Sequence, residues 1–229
     1  IYNSIKDKFK SNILHRDFLE WNSPKKYDLI IGNPPFYVMK KNKIKTNKYE
    51  HYYSGRPNIF VLFIAKSLEL LENNGILAFV LPKNFMNCLY YDSLRKHIST
   101  TYKIIDIIEC YQDKYLETQQ DTIVIIIQKQ NSVLNNPNYT VNINNYTIFN
   151  TPIIVTQIKE CYKNTTTLKN MNFEVKVGNV VWNQVKDKLT NDKNKTRLIY
   201  SSDIVNNKLS IKTYKNKVKK NYITKAGKT

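Results

Sequence analysis

Four short and almost uninterrupted apolar runs punctuate the first 130 residues, and they constrain the fold more than any other feature. The run 27–32 (YDLIIG) ends at a glycine, 76–81 (ILAFVL) stops at Pro82, and 104–108 and 122–127 consist almost wholly of Ile and Val. Runs of this length, closed by Gly or Pro and rich in β-branched residues, read as buried strands. Two amphipathic stretches lie between them. Asn58 is placed to cap a helix reaching Leu71, whose apolar positions Ile59, Phe60, Phe63, Ile64, Leu68 and Leu71 recur at three- and four-residue spacing. Asn73-Asn74-Gly75 is then the expected helix stop. A second helix is expected over roughly Phe85 to Ile98, with Leu89, Leu94 and Ile98 inward. Continuous apolar strands between amphipathic helices predict an α/β sheet covered on both faces. The last two strands have no helix between them, which predicts an antiparallel pair at that edge.

The remainder is read differently. The stretch from Asn131 to Asn145 is rich in asparagine, and a boundary is expected near Asn150–Pro152. Residues 1–150 carry a net charge of +6, and residues 151–229 carry +12 in about half the length. In this second part, Val180 to Asn183 after Gly178 and the run 197–200 (RLIY) suggest a mixed or mostly β region. The whole chain bears +18, from 36 basic and 18 acidic residues. That surplus favours a polyanionic partner. Part of it is also what A+T-rich coding would supply, since 32 of the basic residues are Lys and 30 residues are Asn. Cys88, Cys110 and Cys161 are isolated, so neither a disulfide framework nor a zinc site is expected, in keeping with a cytoplasmic setting. His15, His51 and His97 show no metal-ligand spacing with them. No apolar run approaches the roughly 20 residues that cross a bilayer, so no membrane partner is expected.

The chemistry points to Asn33-Pro34-Pro35-Phe36, directly after the first strand. Ligands of open α/β sheets bind beyond the carboxyl ends of strands. Two prolines fix two φ angles, remove two N–H donors and keep the preceding residue out of the α region. The loop that results offers the Asn33 side-chain oxygen and free carbonyls, all acceptors. Two acceptors gripping one NH2 group draw its nitrogen toward sp3 character and free its lone pair for attack on a methyl sulfonium. Phe36 adds a flat face for a base. Taken by themselves, the four residues also suit an ordinary tight turn after a strand.

The surroundings add to this. Upstream lies Arg16-Asp17-Phe18-Leu19-Glu20-Trp21, then a short loop, then Tyr27-Asp28-Leu29-Ile30-Ile31-Gly32-Asn33-Pro34-Pro35-Phe36. This arrangement resembles the gamma-type N6-adenine DNA methyltransferases of restriction–modification systems, the TaqI and Eco57I type. The resemblance spans about residues 12–205, with its strong motifs before 130. It implies a Rossmann-like S-adenosylmethionine-dependent methyltransferase fold, incomplete in this chain, in residues 1–150, and the beginning of a DNA target-recognition region in 151–229. It implies that Asn33 and the Pro34 carbonyl hold the adenine N6, that Pro35 stiffens the loop and that Phe36 stacks on the flipped base. By the same resemblance Asp17 accepts from the adenine amino group of S-adenosylmethionine, Phe18 lines that pocket and Phe63 helps to wall it. Phe63 equally fits the core stripe of its helix. Tyr111 is implied to pack on the target base, with Lys114 close to DNA. The sequence departs from the family in having Arg16 before the motif aspartate, where a small residue is usual. It also lacks the family's glycine-rich cofactor loop, so an N-terminal segment or a partner chain is expected to complete the cofactor pocket.

Double-stranded DNA is the implied partner, and extruding a base costs a few kcal/mol that contacts must repay. The segment after the loop holds Lys40, Lys41, Lys43, Lys45, Lys48 and Arg56 among Tyr37, Tyr49, Tyr52 and Tyr53, which suits phosphate contact and base stacking. Two alternatives stand beside adenine methylation. One is methylation of a protein glutamine or a ribosomal RNA base, since the same turn serves those families. The other is a non-catalytic DNA-binding remnant.

Overall fold

The computed structural model describes residues 13–40, 47–110, 121–130, 136–176, 178 and 180–224. Its contacts divide the chain into two compact units, Ile1–Thr165 and Thr166–Thr229.

The first unit is built on a mixed four-stranded sheet. Strand β1 (Tyr27–Gly32) leads through helix α1 (Ile59–Leu70) to β2 (Leu71–Pro82). Helix α2 (Asp92–Thr101) leads to β3 (Tyr102–Cys110), followed by β4 (Thr122–Lys129). The sheet order is β1-β2-β4-β3. β1 and β2 run parallel with Gly32 opposite Phe79, while β4 pairs antiparallel with both β2 and β3. The expected strand and helix types therefore form, and the consecutive strands pair antiparallel as anticipated. A hairpin of β5 (Thr140–Ile143) and β6 (Tyr146–Phe149) and a helix α3 (Pro152–Tyr162) complete the unit.

Coverage of the sheet differs from expectation. Leu77, Phe79 and Leu81 of β2, Ile123, Ile125 and Ile127 of β4, and Ile104 and Ile107 of β3 are buried together with Phe60, Ile64 and Leu68 of α1 and with Leu94 and Ile98 of α2. That is one face. The alternate positions of the other face are apolar too, yet Leu29 is 57% exposed, Ile31 70% and Ile108 46%. β1 is accordingly a partly exposed strand rather than a buried one. Among the described residues it is an edge strand, and only its Ile30 packs against the core. A continuous apolar run fits a strand buried on both faces, but cannot say what covers the second.

Several boundaries also shift. Asn58 occupies the cap position of α1 with φ −76° and ψ 136°, but its side chain caps nothing. The helix stops at Leu70 and β2 begins at once, so Asn73-Asn74-Gly75 lies inside the strand. There it forms an irregularity: Asn74 has φ 65°, and the pairing skips from Tyr27–Leu71 to Leu29–Ile76. Only glycine fits at position 75, where a Cβ would lie 2.8 Å from the Tyr27 carbonyl oxygen.

The expected helix from Phe85 is replaced by two 3-10 turns, Lys83–Met86 and Leu89–Tyr91, ahead of α2. Leu94 and Ile98 are inward, but Leu89 is 60% exposed. The cause is the fully buried Arg95, which donates to the carbonyls of Phe85 (2.9 Å), Cys88 (2.8 Å) and Thr147 (2.5 Å). Carbonyls that α-helical bonding would otherwise have to satisfy are satisfied from the side. Asp92 then accepts from the Thr147 N–H at 2.8 Å, which fastens the β5–β6 hairpin to α2.

The expected boundary near residue 150 falls later. α3 belongs with the first unit through the buried Val155 and through Lys159, which donates to the Pro137 carbonyl at 2.7 Å. Among the described residues, the second unit holds only two-residue strands. β7 (Leu189–Thr190), β11 (Tyr222–Ile223) and β8 (Thr196–Arg197) form one antiparallel set, and β9 (Ile204–Val205) pairs with β10 (Lys208–Leu209). The strand expected over 197–200 is confined to its first residue, and Trp182–Gln184 is a 3-10 turn. Among the described residues no helix is long and apolar enough to cross a membrane.

Candidate active site

The loop 33–36 leaves the carboxyl end of β1 with Asn33 and Pro35 exposed, Pro34 buried and Phe36 half-buried. Pro34 is the anchor and Asn33 is the group presented. Phe36 is held edge-on to Phe60, with ring centroids 6.1 Å apart at 86°. Phe60 in turn meets Phe85 at 5.9 Å and Tyr91 at 5.0 Å, and it is fully buried. A T-shaped aromatic cluster of this kind fixes ring orientation beyond what burial alone provides. The chain after Phe36 is strapped to the start of α1: the Ile59 N–H donates to the Tyr37 carbonyl and the Met39 N–H to the Pro57 carbonyl, each at 2.9 Å. Val38 and Asn58 form an isolated antiparallel bridge. Residues 37–58 thus return to where they began, and the first residues past the loop are held at both ends.

The second predicted group packs on α1 through Phe63 and Lys66. Asp17 closes a tight turn, its carboxylate accepting from the Leu19 N–H at 2.8 Å and its carbonyl from the Trp21 N–H at 2.9 Å. The Phe18 ring packs on Phe63 with centroids 4.9 Å apart. Asp17 is exposed, while Phe18 and Phe63 are half-buried. The structure therefore joins two of the three residues expected at a cofactor, and Phe63 serves both the core stripe and this wall.

What holds the turn is a residue that sequence reasoning passed over. Lys66, buried on α1, donates to the carbonyls of Leu19 and Trp21 and stands 5.4 Å from the Phe18 ring centroid. Burial and the nearby Lys48 lower its pKa, against the opposing pull of Asp17 and Glu69. The signal was a lysine one position past the inward Ala65 in an otherwise apolar helix, a place where charge needs partners.

The basic aromatic segment is less open than expected. Tyr49 is 5% exposed and donates to Glu69 at 2.9 Å. Burial, then the bond to Glu69, drives its pKa far up. Lys48 is spent on the same carboxylate. Tyr52 and Tyr53 pack against the core, Tyr52 with its ring 4.9 Å from that of His97. Tyr37, 52% exposed, keeps a face for a ligand, and so does Tyr90, 64% exposed, which the sequence reading did not single out. Lys40 and Arg56 are exposed. Lys41, Lys43, Lys45, Tyr111 and Lys114 lie outside the described residues.

Comparison with known proteins follows this geometry. The family described as Eco57I restriction-modification methylase matches residues 2–116. Modification methylase CviBIII of Paramecium bursaria Chlorella virus NC1A is 35% identical over 103 residues, which are 43% of this chain and 26% of that protein. Type II methyltransferase M.CvrRI of Paramecium bursaria Chlorella virus XZ-6E is 30% identical over 129 residues, 55% of this chain and 32% of that protein. Among solved structures, the M protein of the type I restriction enzyme EcoKI superposes with a TM-score of 0.37 at 20% identity, over 46% of this chain and 21% of that one. The chain thus spans only a quarter to a third of these two relatives. The matched segment contains the Asp17 turn, the Asn33 loop and the whole of β1, α1, β2 and α2, and this chain belongs to the Eco57I restriction-modification methylase family.

Proposed function

We propose that these residues carry the methyl-accepting part of a site-specific DNA methyltransferase acting on the exocyclic N6 of adenine within a restriction–modification system. The observation that carries this reading is the loop 33–36, in which a buried Pro34 and a ring-clamped Phe36 hold an exposed Asn33 beyond the carboxyl end of a strand. Asn33 Oδ1 and the Pro34 carbonyl accept the two amino hydrogens of an extruded adenine, raising electron density on N6. Phe36 offers its open face to the base and Pro35 stiffens the turn, and by family resemblance Tyr111 is assigned to the target base and Lys114 to the DNA. Lys40, Lys41 and Arg56 supply phosphate contacts that repay part of the cost of extrusion.

The Asp17 turn suits S-adenosylmethionine. One carboxylate oxygen is engaged by the Leu19 N–H on an exposed residue, so the group remains open to a further donor, and Phe18 and Phe63 make an apolar wall beside it. Asp17 would take the adenine amino group of the cofactor, and Phe18 and Phe63 would face its ring. When bound, the cofactor supplies the electrophilic methyl group. Transfer to N6 is direct, with no covalent enzyme intermediate.

The test is methylation of duplex DNA by the protein containing these residues, with digested nucleosides resolved by mass spectrometry. N6-methyladenine is expected, and Asn33→Ala should lower its formation by at least about a hundredfold, the loss typical of removing one preorganised polar group at a reacting centre, while DNA binding stays largely intact. Full activity of Asn33→Ala, or methyl groups found only on glutamine or RNA, sinks the reading.

A further inference from the structure

On the reading above, we infer that the cavity between the loop strap and the turn after β2 is a binding site for a second nucleotide of the DNA, one that flanks the reacting adenine. The cavity measures about 420 Å³ and is lined by Val38, Gly55, Arg56, Asn58, Tyr90 and Tyr91. That is within the size range of small-ligand pockets. It sits where α1 begins and the 3-10 turn after β2 ends, and so on the side of the sheet where the strand ends converge with loop 33–36. Val38 lies five positions after Asn33, at most about 18 Å of extended chain. Neither Asn33 nor Phe36 lines the cavity, so it is adjacent to the place of the reacting base and not that place itself.

Each part of a nucleotide has a counterpart. Asn58 Oδ1 is buried and has no hydrogen-bond partner among the described residues; burial raises the Tyr91 pKa, and the Asn58 side chain beside it offsets only part of that. A buried acceptor left unpaired is destabilising. The cost is recovered when a ligand brings an N–H, as the Watson–Crick edge of every unpaired base does. Tyr90 stands 64% exposed at the wall, with a ring face free for stacking. Arg56 is exposed at the rim, carried there by Gly55 with φ 74°, and its planar guanidinium matches a phosphate bidentately. An acceptor at depth, an aromatic wall and a cation at the mouth correspond to base edge, base face and phosphate.

Photocrosslinking tests this. The whole chain is irradiated with duplexes in which 5-iodouracil replaces thymine within random flanks. The reacting base is an adenine, so any adduct marks a different nucleotide. The tryptic peptide 84–95 is expected to carry the uridine mass on Tyr90. Tyr90→Leu, at a surface position whose thermal melt serves as control, should lower the yield about tenfold, and Tyr90→Phe should restore it. Arg56→Gln should reduce the slope of log affinity against log salt by about one. Adducts confined to other peptides, or an unchanged yield in Tyr90→Leu, would overturn the inference. The two readings fail separately. Asn33-dependent N6-methyladenine with a blank 84–95 peptide removes the pocket alone, and Tyr90 adducts without adenine methylation remove the chemistry alone.

Discussion

At the scale of single residues, two buried cations do different work. Arg95 is a knot, with three carbonyls and one carboxylate from separate segments meeting its guanidinium. Replacing it with methionine takes the guanidinium donors from the Phe85 and Thr147 carbonyls, while Cys88 keeps the Tyr91 N–H and Asp92 keeps the Thr147 N–H and Lys96. The first unit should lose about 2–4 kcal/mol, roughly 1–2 for each carbonyl that loses its donor, read as a lower urea midpoint. Lys66 is a tether, and methionine there keeps the volume and removes a charge that was costly to bury. Stability should therefore change little, while the turn that Lys66 holds becomes loose. S-adenosylmethionine affinity should fall about tenfold by calorimetry, and unchanged affinity would show that the turn is held by Phe18 alone. Neither role stands out in the sequence. A lysine and an arginine on amphipathic helices usually read as solvated, and only the fold reveals which carbonyls they face.

At the scale of elements, local pattern served well where the rule was periodicity. The helix after Asn58 was legible because its apolar side chains repeat on one face, and the strand cores of β1 to β4 because their apolar runs are continuous and short. Loop 33–36 was legible because two prolines dictate backbone geometry whatever surrounds them. The 3-10 turns after β2 were not, since they depend on Arg95 bonding across to carbonyls that helical bonding would have used. The β5–β6 hairpin had a local signal that composition hid. Asn144 and Asn145, with φ of 48° and 69°, are the two positive-φ positions of its turn, but they sit in an asparagine-rich stretch that reads as a linker.

The second unit shows how little regular structure such a region needs. Asp203 is fully buried and accepts from the Tyr200 and Lys212 N–H groups at 2.9 and 3.0 Å and from the Tyr214 hydroxyl at 2.5 Å. Burial works to raise its pKa, but these bonds and Lys219 outweigh it and the net shift is downward. A carboxylate with a depressed folded pKa stabilises above its unfolded value, near 3.9, and that contribution is lost as pH falls through the folded value. Asp203→Asn should cost the second unit about 2 kcal/mol at neutral pH and flatten its stability profile below about pH 5. Trp182 fluorescence in a Trp21→Phe background follows the unit. A mutant profile as steep as the parent's would place the acid sensitivity elsewhere.

At the scale of the whole molecule, charge sets behaviour toward DNA. With a net charge of +18, affinity for duplex DNA should fall about a thousandfold or more between 50 and 200 mM salt, if six or more phosphates are engaged. A shallow slope would mean that the lysines are mere surface composition. Charge is also uneven over the sheet. Among the described residues its second face exposes Leu29, Ile31 and Ile108, and β1 stands at the edge of the sheet beside them. Natural proteins blunt such edges with charge, proline or bulges, and β1 carries the exposed Asp28 and the irregularity at its start. For anyone preparing this chain, that surface is the handle. Exchanging Ile31 and Ile108 for threonine keeps β-branched shape, touches nothing in the buried layer, and should convert a polypeptide prone to stick to its own copies into one that stays dispersed at high concentration.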